Sequence, residues 1–364
     1  MFIHTTTSLC KICYRHLPGF VFEKDGSIFL TKTCPEHGET TICIEPDADF
    51  FSKLECPNLV PIKGILMEVT DKCQLDCPHC YHLPDNRVTD TPADFLLSKF
   101  LSLPSDSYLI LAGAEPTLRS DFPEFVQRIK DLNYFNHSYG HGSFTVLTNG
   151  VKFSSMSFTK QCKDSGLEDT LIGLNHPSYN GDNVHEQQLK GIYNLAENEM
   201  TFGYIGYTIE TLDHIPDILA EIEKINSQIG RYVNQYRIRC GSFIGRSSDK
   251  KRSYISDTLK YIENYLGKEN IKVLNDRDNN IYHVNIMWNG IVIRVIQWPD
   301  VETIDMEELT MGPYCQFYGE PITNFVHQVI MRDAVKNMNF TLYDKVPFKY
   351  TYASDTPYWR NIPQ

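Results

Sequence analysis

Cys73, Cys77 and Cys80 fall in Thr70-Asp71-Lys72-Cys73-Gln74-Leu75-Asp76-Cys77-Pro78-His79-Cys80-Tyr81, directly after the apolar run Ile65-Leu66-Met67-Glu68-Val69. Short, uneven spacing of this kind lets one loop wrap three thiolates around a single metal centre. A second set lies upstream. Cys10-Lys11-Ile12-Cys13 is a Cys-x2-Cys knuckle, and Cys34-Pro35-Glu36-His37 is a Cys-x2-His knuckle, separated by an insert of 20 residues. A closed tetrahedral Cys3His site favours zinc, and iron is compatible with the same ligand types. Cys43, Cys56 and His16 are alternative ligands, and the bland alternative is a set of isolated buried thiols.

Metal chemistry also suits the cysteine census. Eleven cysteines occur in 364 residues, and all but Cys162, Cys240 and Cys315 lie within the first 80. No secretory signal is read at the start, so the thiols point away from a disulfide framework and the expected compartment is the cytoplasm. No run of about 18 or more apolar residues marks a membrane span. The 34 basic and 46 acidic residues leave a formal charge of -12, which opposes a nucleic-acid partner.

Elements must hold these residues in place. Phe20-Val21-Phe22-Glu23-Lys24-Asp25-Gly26-Ser27-Ile28-Phe29-Leu30 reads as a hairpin about an Asp-Gly turn, which a metal site would stabilise. We expect a zinc-ribbon-like module over 1–46 and a linker with one helical turn over 47–61. Beyond it, short apolar runs alternate with amphipathic stretches. Strands are expected at Gly64–Val69, Tyr108–Ala112, Phe144–Leu147, Thr170–Leu174, Thr201–Ile209 and Gln235–Cys240, with helices in the gaps from Pro92 to Leu266. The fold class is α/β: a partial (β/α)6 TIM-like barrel over 62–266, with its chemistry on loops after the strand ends. From 267 to 364 an extension covers the barrel, beginning with a β-hairpin about Asn289-Gly290.

Those strand ends carry polar, glycine-punctuated segments: Ala112-Gly113-Ala114-Glu115-Pro116-Thr117 after the second, Thr148-Asn149-Gly150 after the third, and Asn175-His176-Pro177-Ser178 after the fourth. Arg237 and Arg239 alternate with Ile238 and Cys240 on the sixth, so both share one face, either the barrel interior or an exterior face meeting helix acids.

With these residues in view, the sequence resembles the radical S-adenosylmethionine (SAM) superfamily over roughly residues 62–245. Cys73-x3-Cys77-x2-Cys80 is similar to its cluster motif, Gly113-Ala114-Glu115-Pro116 to its Gly-Gly-Glu-Pro motif, and Thr148-Asn149-Gly150 to its third-strand ending. The resemblance implies a [4Fe-4S] cluster on the three cysteines with one iron left open for SAM. It also implies a flavodoxin- or ferredoxin-like electron donor and a 5′-deoxyadenosyl radical that abstracts hydrogen from substrate. By the same resemblance, Glu115 and the Gly113 backbone accept the SAM amine. His79 packs near the adenine or donates to cluster sulfur, Asn175 bonds the ribose or caps a turn, and Arg237 or Arg239 binds the SAM carboxylate. Ala114 replaces the motif's second glycine. The fifth strand, Gly203-Tyr204-Ile205-Gly206-Tyr207-Thr208-Ile209-Glu210, only approximates the adenine-binding pattern of some members.

The knuckle module resembles that of the tetraether lipid synthase group and relatives once described as pterin methylases, without their further cysteine-rich segment. A small-molecule or lipid substrate is therefore expected. Peptide modification is the alternative, weakened because only Cys315 follows Cys240. A non-catalytic iron-sulfur sensor or scaffold is the alternative of another class. Cys315 could return a hydrogen atom to a product radical, or pack as a small hydrophobe.

Overall fold

Four antiparallel strands open the chain: β1 (Phe2–Leu9), β2 (His16–Lys24), β3 (Ser27–Cys34) and β4 (Gly38–Glu45), paired in sequence order. A computed structural model describes this and the rest of the fold. It covers residues 1–13, 15–54, 64–80, 82, 84–87, 89–101, 108–132, 144–241, 252–274, 283–297, 302–303, 316–317 and 320–321. The expected hairpin is β2–β3. Its Asp25-Gly26 turn has φ of 52° and 77°, the two positive values that match a two-residue turn to strand twist. The flanking strands β1 and β4 were not expected. Both are rich in threonine, which favours the extended backbone but leaves no clear apolar alternation.

Next comes α1 (Ala48–Ser52), the helical turn expected in the linker, started by an Asp47 carboxylate that accepts from the Phe50 N–H at 2.8 Å. The larger unit alternates strand and helix: β5 (Gly64–Thr70), α2 (Ala93–Phe100), β6 (Tyr108–Gly113), α3 (Phe122–Leu132), β7 (Phe144–Thr148), α4 (Met156–Asp164) and β8 (Asp169–Gly173). It continues through α5 (Pro177–Asn180), α6 (Asp182–Glu197), β9 (Thr201–Thr208), α7 (Ile215–Ile229), β10 (Tyr236–Arg239) and α8 (Ile255–Leu266). Strands β5 to β10 are parallel and lie in sequence order, so each crossover returns to the adjacent position.

Periodicity explains the layering. On α7 the buried residues Ile215, Ile218, Leu219, Ile222, Ile225 and Ile229 form one apolar stripe, and that stripe faces the sheet. On β10, buried Tyr236 and Ile238 alternate with half-buried Arg237 and Arg239, which settles both arginines on the face away from the helices.

Two further segments widen the sheet. β11 (Ile271–Val273), β12 (His283–Trp288) and β13 (Ile291–Ile296) form the expected extension, with β13 lying parallel to β10 as a seventh strand. Asn289 and Gly290, at φ of 48° and 78°, turn the hairpin. At the other edge β14 (Gln316–Phe317) lies parallel to β5 and pairs with β15 (Glu320–Pro321). Among the described residues the strand order runs from β11 to β15 without returning on itself, so the six-unit core is an open, partial barrel. Cys56, Cys315 and the tail from Thr341 lie outside the described residues.

The ribbon is seated against the start of α8. Ser256 Oγ donates to the buried Glu45 carboxylate, Tyr254 OH donates to the Cys43 carbonyl at 3.2 Å, and Lys260 pairs with Asp47 at 2.8 Å. Lys32, 2% exposed, donates to Ser8 Oγ and to the Glu302 carbonyl at 3.1 and 2.8 Å. Burying this amine without such partners would be costly.

Candidate functional site

The first candidate is the ribbon's own metal site. Cys10 and Cys13 leave β1, Cys34 ends β3, and His37 sits in the turn before β4, so folding the meander brings all four together. Their ligand atoms lie within 4.8 Å of one another. Cys13 Sγ and Cys34 Sγ are 3.7 Å apart, and His37 Nδ1 lies 3.4 Å from Cys34 Sγ and 3.6 Å from Cys10 Sγ. Four ligands at about 2.0–2.3 Å from a tetrahedral zinc have edges of roughly 3.3–3.8 Å. The spacing therefore fits zinc. Burial and neighbouring thiols push Cys13 up to about 11. At Cys34 burial acts the same way, but the N–H groups of Glu36 and His37 outweigh it and bring the thiol down to about 6. A bound cation favours the thiolate form of cysteine ligands.

The second candidate occupies the loop after β5. Cys73, Cys77 and Cys80 are partly exposed, and Cys77 and Cys80 line a cavity of about 220 Å³ at the strand ends. Burial pushes the Cys73 thiol up to about 12, with Glu115 acting in the same direction.

The loop is held from both ends. Asn86 stands in for a strand partner, its Oδ1 accepting from the Cys73 N–H at 3.0 Å and its Nδ2 donating to the Cys73 carbonyl at 2.9 Å. Buried Arg119 donates to the Val69 and Thr91 carbonyls at 2.8 and 2.9 Å and is clamped by Asp121 through two parallel contacts. His82, 2% exposed, lies between Asp71 and Glu68 at 2.9 and 3.4 Å.

The segment after β6 shows why its glycine is needed. Gly113 has φ of 126°, and a Cβ there would stand 2.3 Å from the Thr70 carbonyl oxygen on β5. Ala114 is absent from the positive-φ residues, so alanine fits where the related motif has glycine. Gly113 and Ala114 line the cavity.

Glu115 lies fully buried. Its Oε1 accepts from Thr117 Oγ1 at 2.5 Å, Thr148 Oγ1 at 2.7 Å and the Thr117 N–H at 3.2 Å. Its Oε2 accepts from the Asn149 N–H at 2.7 Å. Burial raises its pKa and these donors oppose the rise. The carboxylate thus joins the end of β6 to the end of β7.

The remaining expected residues gather around Cys77. Buried His79 meets Tyr179 edge-on at 4.9 Å, and its Nε2 lies 3.0 Å from Asn175 Oδ1. Asn175 Nδ2 lies 3.3 Å from Cys77 Sγ. Arg237 and Arg239 line the same cavity as Cys77. Arg237 lies 3.8 Å over the Tyr204 ring, and its Nε donates to Gln235 Oε1 at 2.9 Å.

Several contributors were not legible in the sequence. Asn180, at the end of α5, also reaches Cys77 Sγ at 3.3 Å. His185 on α6 joins the Asn175 carbonyl to Glu221 at 2.9 and 2.6 Å. The partners of Cys77 lie about a hundred residues away, and only the return of parallel strands brings them together.

Comparison with known proteins gives two family matches. Residues 67–222 match the Radical SAM superfamily, and residues 2–45 match the HMPTM N-terminal zinc ribbon domain. Among curated proteins, a 7,8-dihydro-6-hydroxymethylpterin dimethyltransferase of Methanocaldococcus jannaschii is 28% identical over 199 residues, covering 46% of this chain and 38% of its own length. The chain thus spans well under half of that relative. A probable GTP 3′,8-cyclase of Methanococcus aeolicus is 24% identical over 260 residues, covering 64% of this chain and 84% of its own. Among solved structures, Streptococcus suis SuiB bound to precursor peptide SuiA aligns with TM-score 0.43 at 13% identity, covering 57% of this chain and 47% of that one.

Proposed function

We propose that this chain, whose residues 67–222 match the Radical SAM superfamily behind an HMPTM-type zinc ribbon, is a radical SAM enzyme acting on a small molecule. A bound [4Fe-4S] cluster and SAM would supply reductive cleavage of SAM to a 5′-deoxyadenosyl radical. Cys73, Cys77 and Cys80 would hold the cluster, and the Gly113-Ala114 backbone would face the SAM amine. Glu115 would act by holding that backbone and Asn149 in place.

The observation that carries the reading is the composition of the cavity wall. Cys77 and Cys80 of the cluster loop, Gly113 and Ala114 at the end of β6 and Asn175 after β8 all line one cavity. The substrates in the names of the two curated relatives, a dihydropterin and GTP, are small polar molecules. Arg237 or Arg239, both of which line the cavity, would bind the SAM carboxylate.

A cytoplasmic setting with a flavodoxin- or ferredoxin-like reductant completes the proposal. No described helix is long and apolar enough to cross a membrane.

A second reading, methyl transfer, is favoured by the ribbon match and by the name of the M. jannaschii relative. Anaerobic reaction of cluster-loaded protein with SAM and a reductant separates the two. 5′-Deoxyadenosine supports radical formation, and S-adenosylhomocysteine supports methyl transfer. Neither product from a fully loaded protein would overturn both readings.

A further inference from the structure

Two side-chain amides converge on one sulfur. Asn175 Nδ2, from the segment after β8, and Asn180 Nδ2, from the end of α5, each lie 3.3 Å from Cys77 Sγ. A metal-bound thiolate can only accept hydrogen bonds, which fixes the Asn175 amide with its NH2 toward sulfur. Its Oδ1 then faces His79 Nε2 at 3.0 Å, and that nitrogen must carry the proton.

The Asn175 backbone is itself anchored. His185 Nδ1 lies 2.9 Å from the Asn175 carbonyl and His185 Nε2 lies 2.6 Å from Glu221 Oε1, while Tyr207 OH donates to Glu221 Oε2 at 2.7 Å. Both ring nitrogens of His185 meet acceptors, so the ring holds both protons and pairs with Glu221 as an imidazolium. This chain of contacts runs from α7 through α6 to the cluster loop. It leaves the amide little freedom to turn away from the sulfur.

N–H donors on a cluster thiolate stabilise the added negative charge of the reduced state more than the oxidised state. We propose that Asn175 and Asn180 are positioning residues that raise the reduction potential of the cluster through Cys77, with the His185–Glu221 pair as their anchor. The couple takes one electron from an external reductant and no proton. This inference rests on the reading of Cys77 as a cluster ligand.

The test is an EPR-monitored redox titration of the full chain, cluster-loaded, as wild type, Asn180→Ala and Asn180→Asp. Asn180→Ala removes the Asn180 donor and leaves that of Asn175. Asn180→Asp keeps the shape of the side chain and replaces donors by negative charge, so it serves where the alanine variant loads poorly. The midpoint is expected to shift negative in Asn180→Ala and further in Asn180→Asp, at unchanged iron and sulfide content. Midpoints that coincide with wild type in loaded protein would overturn the tuning role. Cys77→Ala provides the separate check: retention of a complete four-iron cluster in that variant would overturn the ligand reading itself.

Discussion

Glu115 Oε2 accepts the Asn149 N–H at 2.7 Å, and through that contact the loop after β6 and the loop after β7 become one unit. The remaining Glu115 contacts, to Thr117 and Thr148, come from hydroxyls that can rotate and one further N–H. Glu115→Gln can keep its oxygen on Asn149 while the hydroxyls turn to accept from the new amide, which leaves only the Thr117 N–H without its acceptor and should cost about 1–2 kcal/mol. Glu115→Leu leaves buried donors without acceptors, each worth about 1–3 kcal/mol, and should lower stability by roughly 3 kcal/mol or more. Denaturant unfolding of the two variants measures the difference. Equal stability would show that the carboxylate does not hold the loops.

Gly113 makes a second demand on the same wall. Its φ of 126° and the 2.3 Å approach of a Cβ to the Thr70 oxygen leave no room for a side chain. Gly113→Ala should destabilise the β5–β6 junction by at least about 2 kcal/mol and reduce cluster loading, whereas Ala114→Gly should leave loading unchanged. Iron and sulfide analysis of both reconstituted variants decides this. Full loading of Gly113→Ala would contradict it.

The two metal sites should be lost one at a time. Cys77→Ala is expected to abolish the brown cluster absorbance with ribbon zinc retained, and Cys34→Ala to release zinc. Elemental analysis beside the absorbance spectrum tests this, and simultaneous loss of both metals in Cys77→Ala would show that the sites depend on one another.

Glu45, buried where the ribbon meets α8, has its pKa raised from an ordinary 4.5 to about 7, chiefly by burial, against the opposing bonds from Ser256 and Asp47. A carboxyl with a raised folded pKa binds its proton more tightly in the fold than in the unfolded chain. Its contribution is therefore fully present below about pH 4.5 and is lost as pH rises through about 7. The shift corresponds to roughly 3 kcal/mol. His185, also raised, loses stability in the same direction, so the difference between wild type and Glu45→Gln isolates the carboxyl. Thermal unfolding from pH 5 to 8 should fall more steeply for wild type. Parallel curves would refute the assignment.

Much of this architecture can be read from local pattern. The β2–β3 hairpin, the six parallel strands and the Asn289-Gly290 turn depend on neighbours within a few residues, and each stands as expected. Strands β1 and β4 escape such reading because their threonines form an edge without an apolar rhythm. Asn180, His185 and Glu221 escape it for another reason: none belongs to a motif, and each acquires meaning only when α5, α6 and α7 are packed beside the strand ends. Glu115 is the intermediate case. Its position was legible, but the four donors that surround it were not.

The central claim, that the Cys73 loop and the cavity beside it generate a radical from SAM, is tested most directly by one product. Cluster-loaded protein, incubated anaerobically with SAM and a strong reductant, should release 5′-deoxyadenosine, and the Cys77→Ala variant should release none. A fully loaded wild type that releases no 5′-deoxyadenosine would contradict the account.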